Sequence, residues 1–236
     1  MDWIDIRLIE LLTSVVGSKL HELDTETSDT DYATVYCLSL RDALSPFRDS
    51  MKSKAPKGGD DHSYHELRRF VSLCAKGNPT ALEILWSNKI EHQEMPMAFL
   101  YGRRHKLLAK KAVYDAHRGY AHQQWKRYEN AESSERRNKA MAARCRVLLQ
   151  GWQLLSQGDF SPQVESGPVR DILYSLKQGD WEPFNEASLM SKPYDKILEE
   201  ALDFAYNISN LCTRPDYDWL ERFVEGVYLE YGLNCE

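Results

Sequence analysis

The spacing of hydrophobic residues changes near His65 and divides the chain into two kinds of sequence. After this point Leu67, Phe70 and Cys74 recur at i, i+3 and i+7, the repeat of an amphipathic helix. Before it, the segments TSVVGS and DYATVYCLSL are rich in β-branched and aromatic residues, which favours strands. The sequence therefore predicts an α+β fold, in which a small mixed or antiparallel sheet near the N-terminus is followed by a mostly helical body.

Further elements follow from the same spacing and from turn residues. Asp61 to Tyr64 is predicted to form a third strand, and residues 45–60, with two Pro and two Gly, a flexible connector. Asn78 is expected to cap a helix rather than bind a ligand, and Gly158 to end one. Helices are predicted over residues 2–12, 104–129 with a bend near Gly119, 134–156, 168–178, 193–212 and 216–231.

Composition restricts the class of protein. The chain is 42% hydrophobic and 28% charged, as in globular proteins, and no run of about 18 apolar residues could span a membrane. The N-terminal MDWIDIRLIELL lacks the basic start of a signal peptide. The five cysteines contain no CxxC pair, which argues against structural zinc and fits a reducing compartment. We therefore predict a cytoplasmic protein with no membrane partner.

Asp29 and Asp31 are the first candidate metal ligands. They lie two residues apart at the start of a predicted strand, where alternate side chains point to the same face. Unpaired carboxylates so close together repel each other, and a divalent cation that prefers oxygen ligands, such as Mg²⁺, would relieve the repulsion. Two ions about 4 Å apart need a third carboxylate, for which Asp61 is the best candidate and Asp60 the alternative.

The pair Gly17-Ser18 precedes these aspartates by a short loop. Glycine lets a backbone approach a phosphate closely, and the N–H groups of such a turn, together with a Ser hydroxyl, can hold phosphate oxygens. Lys19 and His21 are candidates for added positive charge there, with an ordinary loop position as the alternative for His21. Strand, Gly-Ser turn, loop, DxD and strand form a combination far rarer than either motif alone.

These residues resemble a known family. GSKLHELDTETSDTDYATVY is similar to the signature of the DNA polymerase β superfamily of nucleotidyltransferases. The block DHSYHELRRFVSLCAKGNPTALEILW, the segment GYAHQQ, the helix from Lys139 to Arg146, and the segments LLSQGDF and LCTRPDYD resemble predicted nucleotidyltransferases of a branch associated with RNA repair. The resemblance covers about residues 13–231, which is most of the chain.

The resemblance implies a role for each part of the motif. Asp29 and Asp31 would bind two Mg²⁺ or Mn²⁺ ions, and Asp61 would complete the triad and activate an acceptor hydroxyl. Gly17 and Ser18 would hold the triphosphate of a nucleoside triphosphate. These expectations concern the N-terminal part of the chain, where the resemblance to the superfamily signature lies.

The chain also departs from the family pattern. Glu22 stands where the family often has Gly, and Ala33 where an Arg is common. The related sequences carry histidines at the positions of Ala140 and Ala143, although Arg146 remains. The acid at Glu22 could weaken nucleotide binding or point away from the site, and the missing histidines make the helical half of the site less certain than the carboxylates.

The remaining candidates lie in residues 101–150, which contain thirteen Lys and Arg against four Asp and Glu in a chain of net charge −6. Lys139 and Arg146, seven residues apart, share about one helix face and are predicted to contact the nucleotide. The predicted contacts with the acceptor or the base are Arg103, Arg104, Tyr120 and Gln124. A salt-bridged or packed helix surface is the alternative, but this segment has too few acids to pair all its cations, which favours contacts with phosphates.

The function predicted from the sequence is metal-dependent transfer of a nucleoside monophosphate from a nucleoside triphosphate to an acceptor hydroxyl, with release of pyrophosphate. A tRNA-like RNA 3′ end is the favoured acceptor. Residues 1–100 would form the catalytic core, and residues 101–236 a helical domain packed on it, with the basic segment facing the site. The alternatives are a protein or small-molecule acceptor, a non-catalytic nucleotide- or RNA-binding protein, and a toxin–antitoxin component.

Overall fold

The structure, a computed structural model, describes residues 8–26, 28–45, 62–188 and 192–233. The strands in these ranges form one four-stranded sheet with the order β3-β2-β1-β4. They are β1 (Leu8–Val16), β2 (Asp31–Leu38), β3 (His62–Glu66) and β4 (Ile90–Gln93). β1 is antiparallel to β2 and to β4, whereas β2 and β3 are parallel. The predicted mixed sheet near the N-terminus is therefore confirmed.

Helices make up most of the other described residues, so the α+β class is confirmed. Their bounds are α1 (Gly17–Leu20), α2 (Leu40–Leu44), α3 (Leu67–Ala75), α4 (Pro79–Leu85), α5 (Met95–Gly102), α6 (Lys110–Glu129), α7 (Ser134–Gln157), α8 (Pro168–Gln178), α9 (Glu182–Glu186), α10 (Tyr194–Ile208) and α11 (Tyr217–Val227). The Asn78 side chain accepts a hydrogen bond of 3.0 Å from Ala81 N–H at the start of α4, and Gly158 ends α7 in a left-handed conformation. Both predicted helix caps are confirmed.

The prediction of a helix over residues 2–12 is wrong for its described part, because Leu8–Val16 is a strand. The pairing of β1 with β2 shifts between Glu10 and Leu12, which is a β-bulge at Leu11. The bulge puts Leu11 and Leu12 both in the core, with 0% and 1% exposure. Two consecutive buried leucines break the alternation expected of a strand and imitate helical spacing. Residues 1–7 lie outside the described residues.

The predicted long helix over 104–129 is also corrected. Arg104–Leu107 is a short 3-10 turn, and α6 begins only at Lys110. The three residues Leu107, Leu108 and Ala109 are all buried, so the chain crosses the core here and cannot keep one apolar face. α6 then continues without interruption through Gly119. The predicted helix over 193–212 ends at Ile208, and α11 gives way to a π-helical turn at Tyr228–Gly232.

The helical body packs around α7. α6 and α7 are joined by a short turn, α8 and α10 pack on α7, and α4 contacts both β1 and α6. One cluster of buried side chains runs from Leu12 in the sheet through Leu82 in α4 to Cys145 and Leu148 in α7. The predicted domain boundary after residue 100 falls inside α5. No helix among the described residues is long and apolar enough to cross a membrane.

Candidate active site

The Gly-Ser turn lies directly against the second predicted aspartate. Val16, the last residue of β1, is paired with Asp31, the first residue of β2. Gly17 follows with φ of 68°, and a Cβ on it would lie 2.1 Å from Asp31 Oδ2. Only glycine fits this position, because it adopts a positive φ without strain and leaves room for the carboxylate. The turn and the DxD motif are therefore one packed unit.

A cleft of about 720 Å³ opens beside this unit. Ser18, Asp29 and Asp31 line it on the side of the sheet, and residues of α7 and α8 complete its lining. Asp29 is exposed and Asp31 is half-buried. The lining residues are Ser18, Thr25, Ser28, Asp29, Asp31, Ser134, Glu135, Asn138, Lys139, Lys177 and Gln178. The structure thus brings four of the predicted site residues, which are distant in sequence, to one cleft.

Two lysines, Lys139 and Lys177, bring positive charge to the same cleft. Lys177 Nζ donates to Leu23 O at 2.7 Å, and Lys139 Nζ donates to Glu135 Oε1 at 2.6 Å. Burial lowers the pKa of Lys177, and the neighbouring ammonium group of Lys139 lowers it further. Two ammonium groups that repel each other in a cleft favour a bound anion between them, because an anion would stabilise both charges.

The described carboxylates that line this cleft are Asp29, Asp31 and Glu135. Because Glu135 pairs with Lys139, Asp29 and Asp31 are the pair proposed to hold a metal, with the Ser18 hydroxyl in the same cleft. Such hard oxygen ligands suit Mg²⁺, which typically takes one or two carboxylates and completes its shell with water and phosphate. Within the described ranges no three His, Cys, Asp or Glu side chains cluster as a metal site. Asp61 and its alternative Asp60 lie outside the described residues, so the third ligand stays a prediction.

Lys19 and His21 occupy different surroundings. Lys19 Nζ donates to Thr30 Oγ1 and so ties the turn to the DxD segment. His21 is buried, with Nδ1 2.8 Å from Pro162 O and Nε2 3.6 Å from Glu83 Oε2. Burial, followed by the charge of Arg146, lowers the pKa of His21 to about 4. His21 is therefore neutral near pH 7 and adds no positive charge to the cleft, contrary to the sequence-based expectation.

We expect the free energy of unfolding to decrease as the pH falls from about 6.5 to about 4. Burial lowers the pKa of both His21 and His117 to about 4, so over this range the unfolded chain binds protons that the folded chain does not. The loss should reach roughly 3 kcal/mol for each histidine. Urea unfolding at pH 7, 5.5 and 4.5 measures it. His21→Gln should give a shallower pH dependence, and an unchanged slope would contradict this assignment.

Glu22, the departure from the family pattern, points away from the aspartates. Its φ is 58°, a left-handed conformation that explains why glycine suits this position in related sequences. Its Oε1 accepts a hydrogen bond from Gln163 Nε2 at 3.1 Å and lies 3.8 Å from Lys89 Nζ. The extra acid is therefore held by residues outside the cleft, and it does not add charge at the Gly-Ser turn.

Arg146 does not reach the cleft. Its guanidinium forms an ion pair with the buried Glu83 and also donates to Gln150 Oε1 at 3.3 Å. The carboxylate of Glu83 is shared with His21, so this buried network connects the turn after α1 to α7. The sequence assigned Arg146 to the nucleotide because the spacing placed it on the face of Lys139. In the structure Arg146 lies two turns after Lys139 on α7, where it contacts Glu83 of α4 instead of the cleft.

The predicted acceptor contacts also lie away from the cleft. Arg104 forms an ion pair of 2.7 Å with Asp159, just after α7, and Arg103 packs over the Phe99 ring at 3.8 Å. About 27 Å of helix separates Lys139 from the end of α7, where Arg104 is held by Asp159. On α6, Tyr120 is half-buried and Gln124 is buried. None of the four lines the cleft.

The structure also adds residues that sequence reasoning missed. Lys177 and Gln178 come from the end of α8, and Asn138 from the second turn of α7. No motif marks them, because they reach the site only through the packing of α8 on α7. For Asn138 the available signal was its position next to the predicted site residue Lys139 on α7. No such signal pointed to Lys177 or Gln178.

Comparison with known proteins gives one finding. Residues 8–175 match the model of a family described as RNA repair pathway DNA polymerase beta family, RlaP. This range includes the sheet, the Gly-Ser turn, both aspartates and α7. No curated protein and no solved structure matches the chain.

Proposed function

Because the chain belongs to the RNA repair pathway DNA polymerase beta family, we propose that it is a metal-dependent nucleotidyltransferase. It transfers a nucleoside monophosphate from a nucleoside triphosphate to an acceptor hydroxyl and releases pyrophosphate. One observation carries the proposal: Asp29 and Asp31 line the same cleft as Lys139 and Lys177. This arrangement suits a triphosphate with its bound metals, because the carboxylates bind cations and the ammonium groups bind phosphate oxygens.

In this proposal the aspartates, Ser18 and the lysines have different roles in the reaction. Two Mg²⁺ or Mn²⁺ ions, held by Asp29, Asp31 and Asp61, would neutralise the triphosphate and lower the pKa of the acceptor hydroxyl. Asp61 accepts the proton of this hydroxyl, whose oxygen bonds to the α-phosphorus. The bond from the α-phosphorus to its bridging oxygen breaks, and pyrophosphate leaves. Ser18 orients the triphosphate, while Lys139 and Lys177 offset the charge on the pyrophosphate.

The acceptor in this proposal is an RNA 3′-hydroxyl. The family description names an RNA repair pathway. Many cations of residues 101–150 pair with carboxylates, but Arg127, Arg136 and Arg137 are exposed on α6 and α7 and supply positive charge for a phosphate backbone. Arg136, exposed in the first turn of α7, lies two residues from the cleft-lining Ser134 and three from Lys139. It therefore adds positive charge to the end of α7 that borders the cleft.

The experiment that tests the acceptor uses α-³²P-labelled nucleotides, Mg²⁺ and bulk tRNA. We expect label to enter RNA that ends in a 3′-hydroxyl, and no label in the same RNA after periodate oxidation. Pyrophosphate release without labelled RNA would instead favour a protein or small-molecule acceptor. Nucleotide binding without release under any condition would favour a non-catalytic binding protein.

Lys139→Met and Lys177→Met are each expected to raise the KM for the nucleoside triphosphate about tenfold or more. Each variant removes a charge-assisted contact with phosphate, typically about 1.5–3 kcal/mol. Initial rates of pyrophosphate release against nucleotide concentration measure the effect. Lys192→Met is the matched control, since Lys192 pairs with Glu200 on the exposed side of α10. Equal KM values for all three variants would contradict a role of Lys139 and Lys177 in nucleotide binding.

A further inference from the structure

Asn138 is a buried amide in the wall of the cleft. It projects from the second turn of α7 and is only 8% exposed. Its neighbour is Gly179, which ends α8 in a left-handed conformation; a Cβ there would lie 3.0 Å from Asn138 Nδ2. The absence of a side chain on Gly179 therefore leaves room for the amide nitrogen itself. A buried amide at such a position requires hydrogen-bond partners for both ends of its side chain.

A hydrogen bond from Trp181 fixes the orientation of the Asn138 amide. Trp181 Nε1, at the start of α9, lies 3.1 Å from Asn138 Oδ1. An indole N–H only donates, so the amide oxygen must face Trp181 and the amide nitrogen must face away from it. Among the described residues Nδ2 has no hydrogen-bond partner. Asn138 as a whole is nine-tenths buried, but Nδ2 is not one of the fully buried atoms without a partner in the described part of the chain. This donor is therefore accessible from the cleft that Asn138 lines.

We propose that Asn138 is a nucleoside-recognition residue, whose Nδ2 donates a hydrogen bond to a neutral acceptor atom of the nucleotide, and that Trp181 is its positioning residue. The inference rests on the proposed function and specifies the nucleoside part of its substrate. The phosphates are matched by Lys139, Lys177 and Ser18, which offer charge or hydroxyl groups. The uncharged amide of Asn138, held in one orientation, suits a ribose hydroxyl or a base carbonyl. These neutral groups are recognised by the direction of a hydrogen bond and not by charge.

The effect of Asn138 is expected in binding. Asn138→Ala should raise the KM for the preferred nucleotide about 3- to 10-fold, because one neutral hydrogen bond is lost. Asn138→Asp keeps the oxygen that Trp181 needs but replaces the donor by an acceptor, so it should raise the nucleotide KM further. The assays compare four ribonucleotides with their deoxy forms. If Nδ2 contacts the ribose, Asn138→Ala should reduce the difference in KM between each ribonucleotide and its deoxy form. If Nδ2 contacts the base, Asn138→Ala should reduce the differences in KM among the four ribonucleotides.

A double-mutant cycle tests the role of Trp181. Trp181→Phe alone should raise the nucleotide KM, because the amide is no longer fixed, whereas it should have no further effect in the Asn138→Ala background. A simple packing role would give the same loss in both backgrounds. Trp152→Phe is the matched control: Trp152 is a half-buried tryptophan of α7 that borders a different cavity.

Two negative results are distinguishable. If the wild type transfers nucleotides and Asn138→Ala leaves every KM and preference unchanged, the inference is overturned and the proposed function stands. If the wild type neither binds nor turns over nucleotides with Mg²⁺ or Mn²⁺, both are overturned.

Discussion

Asp29→Asn and Asp31→Asn are each expected to lower the rate of nucleotidyl transfer by about a thousandfold or more. Bound metal ions contribute several kcal/mol to the transition state of phosphoryl displacement, and about 4 kcal/mol corresponds to a factor of a thousand. The substitution keeps the size of the side chain and removes the charge that binds the cation. The loss should therefore appear in kcat at saturating Mg²⁺, with no change in far-UV circular dichroism.

Steady-state rates with Mg²⁺ and Mn²⁺ measure this effect. Glu26→Gln is a suitable control, because Glu26 is an exposed acid three residues before Asp29 that does not line the cleft. It should retain the activity of the wild type. Retention of more than a tenth of the activity in Asp31→Asn would mean that the DxD pair is not the metal site.

The second large effect concerns stability. Asp195→Asn is expected to lower the free energy of unfolding by about 3 kcal/mol, because it leaves the buried guanidinium of Arg144 with the partly exposed Glu199 as its remaining carboxylate partner, at 3.2 Å. Arg144 and Asp195 are 1% and 2% exposed, and Arg144 Nε lies 2.8 Å from Asp195 Oδ2. Arg144 Nη1 also donates to Ala121 O at 3.0 Å, so this pair joins α6, α7 and α10.

Urea unfolding followed by circular dichroism measures this loss. The matched control is Glu200→Gln, which removes the exposed partner of Lys192 at 2.7 Å on the same helix and should cost less than about 1 kcal/mol. The double variant Arg144→Met/Asp195→Leu should recover much of the lost stability, since it leaves no buried charge. Similar losses for Asp195→Asn and Glu200→Gln would contradict the assignment of a buried ion pair.

The local part of the fold was predictable from sequence. The β-branched run at 31–40, the cap at Asn78 and the stop at Gly158 are decided within a few residues, so the sequence determines them directly. The grouping of Ser18 with Asp29 and Asp31 was also predictable, because a strand, a tight turn and a second strand bring these positions together. Lys139, which helix spacing, the local excess of positive charge and the resemblance together pointed to, lines the same cleft, and its contact with the nucleotide stays a prediction.

The errors arose where distant contacts decide the structure. Leu8–Leu12 has helical spacing, but a bulge and pairing with β2 make it a strand. Arg104 and Arg146 looked like free cations because their partners, Asp159 and Glu83, are 55 and 63 residues away. A count of local acids cannot reveal such pairs. Lys177 could not be predicted for the same reason, because only the packing of α8 on α7 brings it to the cleft.

The central claim is that Asp29 and Asp31 hold the metals of a nucleotide bound in this cleft. A crystal structure of the wild type with Mn²⁺ and a non-hydrolysable nucleoside triphosphate, with Mn²⁺ located by anomalous scattering, tests it most directly. We predict Mn²⁺ coordinated by both carboxylates, with the triphosphate between Ser18 and the lysines Lys139 and Lys177. A nucleotide in another cavity, or Mn²⁺ bound away from the two aspartates, would contradict the account.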